Sequence, residues 1–309
     1  MKIAFVFPGQ GSQSAGMLDA FSDNAAVRDV LIRAGAALDQ DLAGLIASGP
    51  ADALNLTTNT QPVMLAAGAA IYAAWQAAGG RAPDVMAGHS LGEYTALVAA
   101  GVLSLEDGVR LVRIRADAMQ SAVPVGAGGM AAILGLDDDA VRQVCQEAAQ
   151  GEVVEAVNFN APAQVVIAGH KAAVERACAA AKAAGAKRAL PLPVSAPFHS
   201  SLLLPAADVL AAALAEMPLA APKVPVINNV DVASPTDPAQ IRDALVRQAW
   251  HPVRWVETVR AMKAQGVTHI VECGPGKVLT GLVKRIDGDL TALAITDPAS
   301  LEAALAACA

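Results

Sequence analysis

Apolar residues in this chain fall into two kinds of run, short unbroken ones and longer ones spaced at helical period. The first short run, Ile3–Phe7, is followed at once by Pro8-Gly9 and predicts a buried strand over 2–7. Helical spacing covers 25–38 and resumes at Pro62, placed near a first helical position, through about 78. Another short run predicts a strand at 84–87, and Glu93–Ala100 predicts a helix that Gly101 stops. A further helix is expected over 105–121. Beyond Gly126-Ala127-Gly128-Gly129, which reads as a hinge, the rhythm changes. Strand 129–135, helix 138–149, strands 153–159 and 163–169, helix 171–184 and strand 187–193 follow in β-α-β-β-α-β order, the ferredoxin-like arrangement. The Pro-rich segment Pro193–Ser200 returns the chain to a long helix ending near Glu216. A strand at Val224–Asn228, helices at 238–249 and 253–265, a strand at Thr268–Glu272 and a helix at 277–286 complete the pattern.

Strands alternating with helices on both sides of the ferredoxin-like unit predict the α/β class. A large domain with a parallel sheet is expected from 1–125 and 197–309, with an inserted ferredoxin-like α+β subdomain at 126–196. Composition sharpens this picture. A hydrophobic fraction of 54% and a mean hydropathy of +0.42 exclude disorder. The most apolar stretch, Leu65–Ala74, is too short to span a bilayer. No signal-peptide core precedes the first strand, so a soluble, cytoplasmic protein is expected, with no membrane partner. A net charge of −7 without like-charge runs, and only 3% aromatic residues, argue against nucleic acid. Cys145, Cys178, Cys273 and Cys308 have no metal-ligand spacing and are expected to be buried, reduced thiols. No metal or cofactor is implied.

The richest chemistry lies at Gly88-His89-Ser90-Leu91-Gly92, between the strand at 84–87 and the next helix. Strand, sharp turn and helix form the context of a nucleophile elbow, with Ser90 at the helix N-terminus. This makes the expected large domain hydrolase-like. Ser90 and Glu93 equally fit a capping box, with Ser90 as N-cap and Glu93 at N3. A nucleophilic serine needs a base, and the chain has five histidines. His89 adjoins Ser90 and should point away from it; His170 lies at a strand-to-helix turn; His269 begins a strand. His199 lies in the return loop at the proposed domain boundary, where clefts form. No aspartate completes an obvious triad, which leaves a backbone carbonyl to orient the imidazole. The loop Pro8–Gln13 has neither a P-loop lysine nor a dinucleotide fingerprint and reads locally as a turn.

Several motifs stand in a recognisable order: Gly9-Gln10-Gly11-Ser12-Gln13, Gly88–Tyr94, Arg115, Asn158-Phe159-Asn160, Ala196-Pro197-Phe198-His199, Val246-Arg247-Gln248, His251–Trp255 and Gly274-Pro275-Gly276. Over nearly the whole chain the sequence resembles the malonyl-CoA:acyl carrier protein transacylases of bacterial fatty acid synthesis. The resemblance implies ping-pong transfer of malonyl from malonyl-CoA, through Ser90, to the phosphopantetheine thiol of an acyl carrier protein, with His199 as base. It implies an oxyanion hole from the backbone N–H groups of Gln10 and Leu91, and a main-chain carbonyl of Gln248 behind His199. Arg115, otherwise an ordinary helix-surface residue, becomes a clamp for the malonyl carboxylate. Phe198 resembles the phenylalanine of malonyl-selective polyketide acyltransferases, where a ring crowds an α-methyl branch. His89, Asn158 and Asn160 are candidate substrate contacts, although the two asparagines equally suit caps of the turn before Ala163.

Lys182, Lys187 and Arg188, with Lys277, Lys284 and Arg285, read either as solvated surface or as basic edges beside the cleft for an acidic carrier. A monomer is expected. Stand-alone acyltransferases of polyketide or malonate decarboxylase systems, serine hydrolases and a non-catalytic carrier-binding module are the alternative readings.

Overall fold

The computed structural model describes residues 1–194 and 196–309; Ser195, in the expected return segment, lies outside the described residues. The chain begins with β1 (Lys2–Phe7), α1 (Ala25–Leu38), α2 (Leu42–Ser48), α3 (Ala51–Leu54), α4 (Thr57–Ala77), β2 (Val85–Gly88), α5 (Leu91–Ala99) and α6 (Leu105–Ser121). A second group follows: β3 (Gly128–Leu134), α7 (Asp138–Ala149), β4 (Val154–Ala161), β5 (Gln164–His170), α8 (Lys171–Ala183) and β6 (Arg188–Pro191). The chain ends with α9 (Leu204–Glu216), β7 (Val226–Ile227), α10 (Pro238–Gln248), α11 (Trp255–Ala264), β8 (Val267–Cys273), α12 (Val278–Ile286), β9 (Thr291–Ile295) and α13 (Pro298–Ala307).

Two sheets result. One is parallel throughout, in the order β7-β2-β1-β8-β9. Its central strand β1 buries Ile3–Phe7 completely, because helices cover both faces. Phe5 stacks edge-on against Tyr72 and Trp75 of α4, whose many alanines and single glycine, Gly68, let it lie close beneath the sheet. The other sheet is antiparallel, in the order β4-β5-β3-β6, the ferredoxin-like order, with its own core around Ile133, Val141, Ile167 and Val174. An α/β chain carrying a small antiparallel unit agrees with the expected class. All four cysteines are buried and free. Among the described residues, no helix is long and apolar enough to cross a membrane.

Several expectations change. Helix α4 begins at Thr57, so Pro62 lies inside it rather than at its start. The polar opening Thr57–Gln61 conceals the first turn, yet Thr60 and Gln61 are buried there. Gly128 and Gly129 pair within β3 instead of forming a hinge. A Cβ on Gly128 would lie 2.5 Å from Pro197 Cδ, so this glycine permits a close approach. The strand expected at 224–228 shrinks to Val226–Ile227, while β9 and α13 extend the sheet and its cover beyond the last element the pattern defines.

Candidate active site

Neighbouring parallel strands deliver neighbouring loops at their C-terminal ends, where α/β sheets bind ligands. β1 and β2 pair in register through Phe7 and Gly88. The Pro8–Gln13 loop and the turn after β2 therefore meet: a Cβ on Gly9 would lie 2.6 Å from the His89 carbonyl oxygen. The turn itself demands glycine. A Cβ on Gly92 would lie 2.0 Å from the Phe7 carbonyl oxygen, and one on Gly88 would lie 1.8 Å from the Gly92 carbonyl carbon. Ser90 between them has φ 53° and ψ −108°, a left-handed backbone that non-glycine residues rarely adopt. Its side chain makes no capping bond, so the capping-box reading fails. The Glu93 carboxylate turns instead to the Asn229 backbone N–H and Gln248 Nε2, at 2.8 and 3.0 Å.

Ser90 Oγ lies 2.6 Å from His199 Nε2, and His199 Nδ1 lies 2.8 Å from the Gln248 carbonyl oxygen. A carbonyl only accepts, so Nδ1 carries the proton and Nε2 accepts from the serine hydroxyl. His199 is 3% exposed. Burial, with the nearby Arg115 charge adding to it, pushes the imidazole pKa down to about 3, which leaves the ring neutral and ready to take a proton.

Arg115, on α6, is 2% exposed. Its Nη2 donates to Ser90 Oγ at 3.0 Å and to Gln248 Oε1 at 3.1 Å, and its Nη1 donates to Gln61 Oε1 at 2.8 Å. The guanidinium carbon lies 5.1 Å from the Tyr94 ring centroid, and Nε meets no acceptor among the described residues. Burial lowers the Arg115 pKa, but a guanidinium keeps its proton. Among the described residues, no carboxylate comes within salt-bridge distance of it. A buried cation held only by neutral acceptors is electrostatically incomplete.

Ser90, Arg115 and His199 open onto a cavity of about 760 Å³ between the two sheets. Gln10, Leu91, His89, Asn158, Asn160 and Phe198 line the same cavity, while Gln248 lies fully buried beneath it. Met130, Val166, Leu192 and Val194 form an apolar wall from the small unit. His89 points away from Ser90: its Nε2 lies 2.7 Å from Asn160 Oδ1 and its ring packs near Trp255. Burial pushes the His89 pKa down. Asn158 and Asn160 belong to β4, and Asn160 Oδ1 meets His89 Nε2. The expected basic residues separate: Lys182, Lys187 and Arg188 fall on α8 and at the β6 edge, whereas Lys277, Lys284 and Arg285 lie at α12 beside the β4 edge. They do not make one continuous edge.

A family model described as an acyl transferase domain matches residues 4–288. The malonyl CoA-acyl carrier protein transacylase of Escherichia coli K12 is 59% identical over 305 residues, covering 98% of this chain and 99% of that protein. The chain belongs to the malonyl-CoA:acyl carrier protein transacylase family. Among solved structures, an acyl-carrier-protein S-malonyltransferase from Burkholderia pseudomallei is 68% identical, with a TM-score of 0.98 over 99% of this chain and 100% of that one. A malonyl-transacylase solved in complex with a type II polyketide acyl carrier protein is 52% identical, also at TM-score 0.98, over 99% of this chain and 100% of that one.

Within this transacylase framework, three polar residues of the site lie outside the recognised motifs or outside the role expected for them. Gln61 and Asn229 carry no motif, and Glu93 was expected only as a cap. Asn229 accepts from the Ser90 N–H and donates to the Gly88 carbonyl, both at 2.7 Å. A signal for it exists: Asn228-Asn229 follows an apolar run, at the strand end where α/β sheets place functional groups.

Proposed function

We propose that the chain transfers malonyl from malonyl-CoA to the phosphopantetheine thiol of an acyl carrier protein, supplying fatty acid biosynthesis. The observation that carries this reading is Arg115, a buried cation 3.0 Å from the Ser90 hydroxyl and without a carboxylate partner among the described residues. An acyl group that brings its own carboxylate completes that charge, and malonyl does so where acetyl does not.

Ser90 Oγ attacks the thioester carbonyl while its proton passes to His199 Nε2. The new oxygen–carbon bond makes a tetrahedral oxyanion, and its collapse breaks the carbon–sulfur bond. His199 returns the proton to the departing CoA thiolate, leaving malonyl-Ser90. The carrier thiol then gives its proton to His199 and attacks the ester; collapse breaks the Ser90 Oγ–carbon bond, and His199 returns the proton to restore the serine hydroxyl. The backbone N–H groups of Gln10 and Leu91 serve the oxyanion. The Ser90 N–H is already committed to Asn229, whereas those two meet no acceptor among the described residues. Phe198 limits branching at the acyl α-carbon, and Asn158, Asn160 and His89 line the route of the pantetheine arm. The unit at 126–196 acts as the inserted subdomain that closes the cavity.

Intact-protein mass after brief mixing with malonyl-CoA tests the reading. A malonyl adduct absent from Ser90→Ala, stable in buffer and discharged onto added holo carrier protein, is expected. An adduct lost equally fast without carrier would make the protein a hydrolase, and labelling that persists in Ser90→Ala would place the nucleophile elsewhere.

A further inference from the structure

Glu93 is 2% exposed and lines no part of the active-site cavity, yet it joins both side chains that grip the serine backbone. Its Oε2 accepts from the Asn229 backbone N–H and from Gln248 Nε2. Asn229 holds one side of the elbow through the Ser90 N–H and the Gly88 carbonyl. Gln248 holds the other side, its Nε2 donating to the Ser90 carbonyl at 2.9 Å. One carboxylate oxygen thus fixes two amides from separate segments, the end of α10 and the loop after β7.

Peptide planarity turns this into a statement about the reaction. The Ser90 carbonyl and the Leu91 N–H belong to one peptide unit and point in opposite directions. Tying the carbonyl to Gln248 on the buried side directs the N–H toward the cavity that Leu91 lines. The same two amides hold Ser90 in its left-handed backbone, which sets the direction of Oγ.

We propose that Glu93 is a positioning residue for the transfer reaction: through Asn229 and Gln248 it locks both sides of the Ser90 backbone and aims the Leu91 N–H at the developing oxyanion. The proposal rests on the reading of Ser90 as nucleophile given above. It assigns Glu93 no contact with substrate, so its loss acts first on the chemical step; Gln248 Oε1 also accepts from Arg115, whose bonds to Gln61 and Ser90 do not run through Glu93.

Three variants test it. Glu93→Leu removes the acceptor, Glu93→Gln keeps an amide oxygen in the place of Oε2, and Asn229→Ala breaks the grip without touching Glu93. Glu93→Leu and Asn229→Ala are expected to lower kcat by about tenfold to a hundredfold, the scale of small misplacements at a reacting centre. KM for malonyl-CoA should stay near its wild-type value, and Glu93→Gln should recover most of kcat. Phenylmethylsulfonyl fluoride carries neither carboxylate nor CoA, so its rate of reaction with Ser90, per folded protein by near-UV circular dichroism, should fall in proportion. Wild-type labelling and kcat in the folded variants, or a loss confined to KM, would overturn the proposal. Should Glu93→Leu fail to fold, Glu93→Ala takes its place, and Asn229→Ala reports only on the side-chain grip. The two readings fail separately. Wild-type enzyme that is labelled at Ser90 but transfers no malonyl, with labelling slowed in the variants, rejects only the transfer reading. Normal transfer in the variants rejects only the positioning role.

Discussion

Replacing Arg115 with alanine removes the only charge, among the described residues, in direct contact with Ser90, the proposed nucleophile, and its effect on substrate choice follows from the hydrogen bonds the guanidinium makes. In the free protein those bonds run to three neutral acceptors, Ser90 Oγ, Gln61 Oε1 and Gln248 Oε1. A malonyl carboxylate takes two of the donors as charge-assisted bonds. At about 1.5–3 kcal/mol for each bond to a charged group, the pair contributes about 3–6 kcal/mol, or about 10²–10⁴ in kcat/KM. Acetyl-CoA makes neither bond, and for it the wild-type arginine is a buried cation left without its anion. The substitution also frees the Gln61 and Gln248 amides, a cost that both donors share and that cancels in their ratio. The malonyl-to-acetyl ratio of kcat/KM should therefore fall by about two to four orders of magnitude. Holo carrier protein acylated from each donor and resolved by mass gives both constants. If Arg115→Ala slowed malonyl and acetyl transfer equally, the carboxylate clamp would be wrong, whatever the size of the loss.

Three further outcomes are expected. His199 is held near pKa 3, so its base form is present throughout the neutral range and the acylation rate should show no limb centred near 6.5 in a stopped-flow pH series. A limb there would show a solvated, titrating imidazole. Burial pushes Glu93 from 4.5 up to about 7, so its contribution to stability is present below 4.5 and lost as pH rises through 7. Glu93→Gln escapes that loss, and its melting advantage should grow between pH 4.5 and 7 toward the order of 3 kcal/mol and then level off; a pH-independent difference would contradict the buried acid. Phe198→Ala widens the cavity beside the acyl group and should improve methylmalonyl relative to malonyl transfer by about tenfold or more, the scale of one methylene in an apolar pocket. Unchanged selectivity would remove Phe198 from that wall.

What the sequence discloses depends on the kind of signal each element carries. Helices α1, α6 and α7 have the residue limits read from their periodicity, because capping side chains mark their starts: Asn24, Ser104 and Asp137 each accept a backbone N–H at their own helix. Helix α4 conceals its start, because its first turn is a polar run buried against other chain segments. Ser90, His199 and Arg115 are legible because motifs name them, and the fold brings both His199 and Arg115 within hydrogen-bond reach of Ser90. Gln61 and the side-chain role of Gln248 are not legible, and for Asn229 the only signal is its place at a strand end. They are amides far apart along the chain, and hydrophobic periodicity records which face is buried without recording which polar groups meet inside.

The junction between the sheets has a mechanical meaning. Val253, just before α11, exchanges backbone hydrogen bonds with β4: Phe159 N–H donates to the Val253 carbonyl at 3.0 Å, and Val253 N–H donates to the Val157 carbonyl at 2.8 Å. Ser201 adds two bonds to the Glu155 carboxylate, both at 2.8 Å. Four hydrogen bonds across one seam, each leaving an unpaired group if broken, make the ferredoxin-like unit a fixed wall rather than a swinging jaw. The acyl chamber is then a mould cast before the substrate arrives. Entry and exit belong to its open mouth, and the malonyl-Ser90 ester proposed above would sit against a wall that this seam holds in place.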